Sequence, residues 1–235
     1  MKMIDCKWNK LTICQPQFHT QKMQVVLQDV DSAMQTPLKI LKDDPTSTVV
    51  VVSVDDEPIV IKRSNTKGVL HGLRRLVCTS RAKKNWHYAK RLALANIKTF
   101  EPIAYVEDRF GPFKKRSYFI CSLIKGIDAL HFFSQINYQS QWEVVAQKIV
   151  ELIQQLGDEH LSHRDLNLSN IILVKEQPYL IDLDSMRQYR WRLHANRATQ
   201  HAVKRFMENW QDYPEISAQV AQIFTSHFQA RGLLC

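Results

Sequence analysis

Apolar and polar positions divide the chain into a strand-rich first half and a helix-rich second half. Thr48 to Val54 is β-branched apart from Ser53 and reads as a strand. Asp55-Asp56-Glu57-Pro58 is a turn, and Ile59-Val60-Ile61-Lys62 is the returning strand. Two more strands are expected at Ile103 to Val106 and at Ser117 to Ile124, with a turn at Gly111-Pro112 between them. Before Thr48 the pattern is weak. Met23 to Val30 has the apolar content of a strand, and Pro37 and Asp43 to Ser47 mark turns. Ser80 to Asn96 reads as a helix capped by Thr79 or Ser80, with Ala82, Trp86, Ala89 and Ala93 on its apolar face. A long buried helix is expected where Val145, Ile149, Leu152, Ile153 and Leu156 recur. Ser140 to Glu143 forms a capping box before it, and Gly157 stops it. Two closing helices follow, Ala195 to Trp210 and Ser217 to Gln229, separated by Pro214.

Between these helical regions lies the stretch Leu161 to Met186. It places His163-Arg164-Asp165 in a loop, Asn170 five residues after Asp165, and then the apolar run Ile171 to Val174. A turn at Pro178 leads into Tyr179-Leu180-Ile181-Asp182. Phosphoryl transfer needs these parts: one carboxylate to take the proton of an attacking hydroxyl, and an amide and a second carboxylate to hold Mg²⁺ on the phosphates. At about 5% usage per residue type, four fixed residues coincide by chance roughly once in ~10⁵ positions.

Composition narrows the setting. The 235 residues allow one domain or two small lobes, and a net charge of +9 suggests an anionic partner. No apolar run approaches the ~20 residues that span a bilayer, and Met1 to Lys10 has no signal-peptide core. A cytoplasmic protein is expected, one able to touch the inner membrane. Five scattered cysteines fit a reduced compartment and no structural zinc site.

The stretch around Asp165 resembles the catalytic and metal-binding loops of the protein-kinase-like superfamily, H-R-D-x-x-x-x-N followed by D-F-G, the second written here Asp182-Leu183-Asp184. The resemblance implies a two-lobed α+β kinase-like fold with a reduced C-lobe. Residues 1–122 would form an N-lobe covering the nucleotide, and 123–235 a C-lobe carrying the chemistry. Asp165 would be the catalytic base, and Asn170 and Asp182 the Mg²⁺ ligands. Lys62, closing Val60-Ile61-Lys62, would bind the ATP phosphates. Ser122, Leu123 and Ile124 would offer backbone groups to adenine at a hinge near Gly126.

Departures from the kinase pattern are plain. The turn before Thr48 has no glycine, which leaves phosphate contact to Ser47, Thr48 or the backbone. The helix at Ser80 has Asn85 where kinases place a glutamate, and Asn167 stands where protein kinases have a lysine. No A-P-E motif follows Met186, and there is no room for a full activation segment, which argues for a small or lipid-linked acceptor.

Lys62-Arg63, Ser80-Arg81-Ala82 with Trp86, Thr99 to Ala104, and Tyr179 to Met186 are together similar to the bacterial lipopolysaccharide kinase family (Kdo/heptose kinase, WaaP-like). That similarity implies ATP-dependent phosphorylation of an inner-core sugar hydroxyl at the cytoplasmic membrane face. Arg187, Arg190 and Arg192 are the candidate docking residues for an anionic, lipid-linked sugar acceptor. Lys83, Lys84, Lys90 and Arg91, with Lys114 to Arg116, are further basic clusters facing the membrane. A small atypical protein kinase and a pseudokinase scaffold stay open at this point. A nucleic-acid partner is not expected, because charge alone suggests one.

Overall fold

Seven antiparallel strands make up the sheet of the first half, in the order β1-β2-β6-β7-β5-β4-β3. They are β1 (Met3–Lys7), β2 (Lys10–Cys14), β3 (Lys39–Asp44), β4 (Ser47–Val54), β5 (Glu57–Ser64), β6 (Pro102–Phe110) and β7 (Phe113–Ser122). The computed structural model describes residues 3–65, 79–110, 113–208 and 218–234. The expected turn at Gly111-Pro112 and the separator Pro214 lie outside them, as do the side chains of Lys114 and Lys115. The chain divides into two units, Met1–Lys90 with Phe100–Leu123, and Arg91–Thr99 with Ile124–Cys235.

In the first unit, β4 and β5 form the expected hairpin. Asp55 and Asp56 both adopt positive φ, 52° and 63°, as a tight turn matched to strand twist requires. Alternation then sorts the side chains. Val50, Val52, Val54, Ile59, Ile61 and Ile120 form one apolar face, packed on Met23, Leu27 and Val30. Those three belong to helices α1 (Gln21–Gln28) and α2 (Val30–Ala33), so Met23 to Val30 is helical rather than a strand. The Thr20 side chain caps α1 by accepting from the Met23 N–H at 3.1 Å. Met23 and Leu27, four apart, then meet the sheet together.

Asp31 ties α2 to the strands. It accepts from Arg63 at 3.0 Å, Arg116 at 2.7 Å and the Tyr118 hydroxyl at 2.9 Å. Partial burial acts to raise its pKa, but the hydrogen bonds from Arg63 and Tyr118 and the two guanidinium charges outweigh that and hold it low.

Helix α3 (Arg81–Leu94) begins where Ser80 accepts from the Lys83 N–H at 3.1 Å. Ala82, Trp86, Ala89 and Leu92 are its buried positions. Ala93, expected on that face, is exposed. Leu92 takes its place because it lies three residues beyond Ala89, on the same stripe.

The second unit is built on helix α5. Preceded by the short α4 (Ala129–Ser134), it runs Trp142–Asp158 and buries Val145, Ile149, Leu152, Ile153 and Leu156, as the periodicity requires. Two local expectations fail. A 3-10 segment, Ile136–Gln141, occupies the expected capping box, and no side chain caps the start of α5. Gly157 does not stop the helix but lies inside it. A Cβ there would sit 2.9 Å from Oγ1 of Thr199 on helix α6 (Arg192–Glu208), so the glycine sets how closely α5 and α6 pack. The last helix, α7 (Ala218–Ala230), adds Phe224 and Phe228 to a fully buried aromatic cluster with Phe133 and Phe206.

Strands β8 (Ile127–Asp128), β10 (Ile171–Val174) and β11 (Gln177–Leu180) form one small sheet, and β9 (Leu161–His163) pairs with β12 (Met186–Gln188). The β10–β11 turn falls at Lys175, with φ 57°, not at Pro178. Pro178 lies within β11, opposite Leu173, on an edge strand that tolerates its missing N–H. Gly126 lies against β10. A Cβ on it would meet the Leu173 carbonyl oxygen at 2.4 Å, so it allows the close approach to β10. The division of units falls earlier, between Leu123 and Ile124.

Candidate active site

The three acidic and amide residues singled out from the sequence are drawn together by main-chain hydrogen bonds. Strand β9 ends at His163, and Arg164 donates its N–H to the Ser185 carbonyl at 3.2 Å. Asp165 follows, exposed. Asn167 then caps the 3-10 turn Leu168–Asn170, its Oδ1 accepting from the Asn170 N–H at 2.9 Å and from the Ser169 hydroxyl at 2.7 Å. With its backbone so fixed, Asn170 donates Nδ2–H to the Asp165 carbonyl at 2.8 Å. Its own carbonyl accepts from the Ile181 N–H at 2.9 Å. The loop bearing Asp165 and the loop bearing Asp182 are thus joined through Asn170.

Asp182 itself is left-handed, φ 53° and ψ 58°, a conformation that costs a non-glycine residue on the order of 1–3 kcal/mol. His163 holds it there, donating Nε2–H to the Asp182 carbonyl at 2.9 Å. Burial lowers the pKa of His163, against the pull of the Asp182 backbone and of the Asp182 and Asp165 carboxylates. Burial thus favours the neutral imidazole, and donating to a carbonyl from Nε2 puts a proton on that nitrogen.

This donor set suits Mg²⁺. Asn170 spends its Nδ2 on the Asp165 carbonyl, which leaves its Oδ1 as a hard oxygen, and Asp182 follows Ile181, which donates to the Asn170 carbonyl. Magnesium takes one or two protein oxygens and completes its shell with phosphates and water. Among the described residues no group of three or more His, Cys, Asp or Glu could hold a metal by itself.

In the first unit Lys62 lies opposite Phe119 on β7 and Val49 on β4. It is on the sheet face opposite Ile61. Tyr105 is next across from Phe119 on that face and meets the Trp86 ring edge-on at 5.6 Å, so Lys62 and α3 share a side of the sheet. Burial pushes the neighbouring Cys121 thiol up to about 12, with the Lys62 charge opposing. Asn85 is buried and donates to the Arg81 carbonyl at 3.0 Å.

The groups expected to replace a glycine loop are committed elsewhere. The Asp44 side chain accepts from the Thr46 and Ser47 N–H groups at 2.6 and 2.8 Å, and the Thr48 hydroxyl donates to Asp43 at 3.0 Å. Ser122 likewise uses its N–H on the Glu101 carbonyl, at 2.9 Å. Leu123 and Ile124 follow beyond the end of β7.

The model of the lipopolysaccharide kinase (Kdo/WaaP) family matches residues 56–227. The chain belongs to this family. Among solved structures, WaaP in complex with acyl carrier protein shares its fold, with a TM-score of 0.60 and 16% identity, over 91% of this chain and 88% of that one. No curated protein sequence matches. As a lipopolysaccharide kinase, the protein is a phosphotransferase acting on sugar hydroxyls of the lipopolysaccharide core, with a protein-kinase-like fold. The family implies the use of ATP.

Several residues of this lipopolysaccharide kinase were invisible as site residues in the sequence. Asn167 reads as a departure from the kinase pattern, yet it caps the turn that aims Asn170. Arg205, far along α6, donates to the Arg164 carbonyl at 2.9 Å, and no local pattern announces that contact. The basic clusters also differ in kind. Arg116 is paired with Asp31, and Lys90 lies over its own helix's Trp86 ring at 4.5 Å. Arg187, Arg190 and Arg192 are exposed. Arg190 stacks 5.3 Å from the Trp191 ring, and Trp191 and Leu193 are exposed beside it, at 61% and 76%. No helix of the described residues is long and apolar enough to cross a membrane.

Proposed function

We propose that the protein transfers the γ-phosphoryl group of ATP to a hydroxyl of a Kdo or heptose residue in the lipid-linked inner core. Residues 1–122 cover the nucleotide and 123–235 carry the chemistry. Asp165 accepts the proton of the attacking sugar hydroxyl as its oxygen bonds to phosphorus and ADP departs. Asn170 and Asp182 hold Mg²⁺, which when bound offsets the charge on the transferring phosphoryl group. Lys62 binds the phosphates. Leu123 and Ile124 present backbone groups to adenine, and Ser122 contributes its place in the strand rather than its N–H.

The observation that carries this reading is the hydrogen-bonded link from the Asp165 carbonyl through Asn170 to Ile181, beside Asp182. It preorganises a base and two oxygen ligands on short main-chain tethers, as electrostatic catalysis of phosphoryl transfer needs.

The acceptor is anionic and works at the cytoplasmic face of the inner membrane, docked by Arg187, Arg190 and Arg192. Exposed Trp191 and Leu193 beside these arginines support that site of action, since an aromatic and an aliphatic side chain flanked by cations suit a lipid headgroup layer.

Transfer from labelled ATP to lipopolysaccharide precursors tests the reading. Asp165→Ala should lower turnover about 10²–10⁴-fold with folding intact, the range of a lost general base. A variant keeping more than about a tenth of the rate would place the base elsewhere.

A further inference from the structure

A cavity of about 420 Å³ lies in the second unit between β9, the end of β12 and α6. That volume is near the lower end of small-ligand pockets, roughly 300–1,000 Å³. Ser162, Arg164 and Tyr189 line one side, and His201 and Arg205 of α6 the other. Ala198 and Ala202 complete the wall. They lie on the same stripe of α6 as His201 and Arg205, and their small side chains leave room between strand and helix. The floor is fixed, because the Ser162 hydroxyl donates to the Ala198 carbonyl at 3.3 Å.

Among the described residues no carboxylate lines this cavity. Arg164 and Arg205 both line it, each guanidinium carries five N–H donors in a rigid fork, and Arg205 spends one nitrogen on the Arg164 carbonyl. An imidazole and a phenol add further donors. This surplus exceeds what the two oxygens of a carboxylate accept, whereas a phosphomonoester offers three oxygens and nearly two charges.

We propose that the cavity binds a phosphomonoester group, and that the group belongs to the sugar-lipid acceptor. The first part stands on the cavity alone. The second rests on the proposed function, and on Arg164 being the residue before Asp165: an acceptor phosphate gripped there places its sugar next to the base. Tyr189 lies between Arg187 and Arg190, so the cavity adjoins that exposed run.

The test uses the full chain with saturating ADP and Mg²⁺, titrated with inorganic phosphate and with glycerol 3-phosphate by calorimetry. His201→Glu puts a like charge in the cavity from an exposed position, and Tyr189→Phe removes a single donor. Affinity for both probes should fall about tenfold or more in His201→Glu and less in Tyr189→Phe, the size of a lost charge-assisted hydrogen bond. Equal affinity in all three proteins overturns the proposal. No turnover is needed for this reading, so it survives or fails independently of the kinase assignment.

A second arm separates the sources. With wild type, kcat/KM for a lipid-linked acceptor should drop several-fold after phosphatase treatment of that acceptor. His201→Glu should show no such drop, with KM for ATP unchanged. If His201→Glu loses phosphate binding yet keeps the preference for phosphorylated acceptor, the ligand is a free phosphomonoester and the acceptor assignment is wrong.

Discussion

His163 donates its Nε2–H to the main-chain carbonyl of Asp182 across 2.9 Å, and Asp182 is left-handed at that point. His163, at the end of β9, therefore holds the Asp182 loop in a backbone conformation that an aspartate disfavours. The bond needs a proton on Nε2, which the neutral ring favoured by burial can supply.

Acid should destabilise the fold, because burial penalises the charged ring. Burial depresses the His163 pKa in the folded state, so below the ordinary value of about 6.5 the unfolded chain binds the extra proton and folding is penalised. Stability should be full above that pH and decline as pH falls through it. His163→Gln keeps a donor and cannot titrate. Melting temperatures from pH 8 to pH 5 should fall less steeply in the variant than in wild type, and parallel curves would show that other groups set the acid response. His163→Ala leaves the Asp182 carbonyl without its partner and should cost about 1–3 kcal/mol.

Asn170→Ala and Asp182→Asn should each raise the Mg²⁺ concentration needed for half-maximal rate. They should change the affinity for nucleotide without metal far less, because both side chains supply hard oxygens. Asn170→Ala has a second effect, since it also releases the Asp165 carbonyl and should lower the rate even at saturating metal. Unchanged metal dependence in both variants would remove these residues from the metal site.

Gly157→Ala should destabilise the protein although alanine is the better helix former. A Cβ at 2.9 Å from Thr199 Oγ1 forces a shift, and overpacking of this kind costs about 1–3 kcal/mol against a propensity gain of about 1 kcal/mol. Thr199→Ala should relieve the clash. A denaturant double-mutant cycle should then show coupling between the two positions, and additive effects would mean that α5 and α6 do not set their spacing here.

Charge reversal of Arg187 and Arg190 should raise the apparent KM for a lipid-linked acceptor and leave KM for ATP unchanged. Added salt should lower transfer in wild type more than in the variant, because exposed charges are screened. Equal use of a neutral soluble sugar by wild type would overturn the docking role of this arginine run.

Much of this was legible in the sequence because it is local. The β-branched run at Thr48 and the heptad-like spacing from Val145 to Leu156 state their periods directly. The stretch proposed to carry the chemistry is local too, since Asp165, Asn170 and Asp182 lie within a short loop–strand–turn–strand. Local signals failed where a distant partner decided the outcome. Met23 to Val30 has apolar residues compatible with either period, and the choice of helix came from the Thr20 cap and from packing on β4 and β5. Gly157 reads as a helix stop, but the approach of Thr199 gave it another use.

The sequence by itself determined most element types and the family, because each depends on neighbours a few positions away. Only the tertiary structure decided how distant segments are held together. His163 reaches the Asp182 carbonyl, Arg205 the Arg164 carbonyl, and Asp31 gathers Arg63, Arg116 and Tyr118. The physical reason is that main-chain carbonyls carry no residue identity, and side-chain partners distant along the chain leave no period to read. Such contacts exist only once packing has brought the segments together.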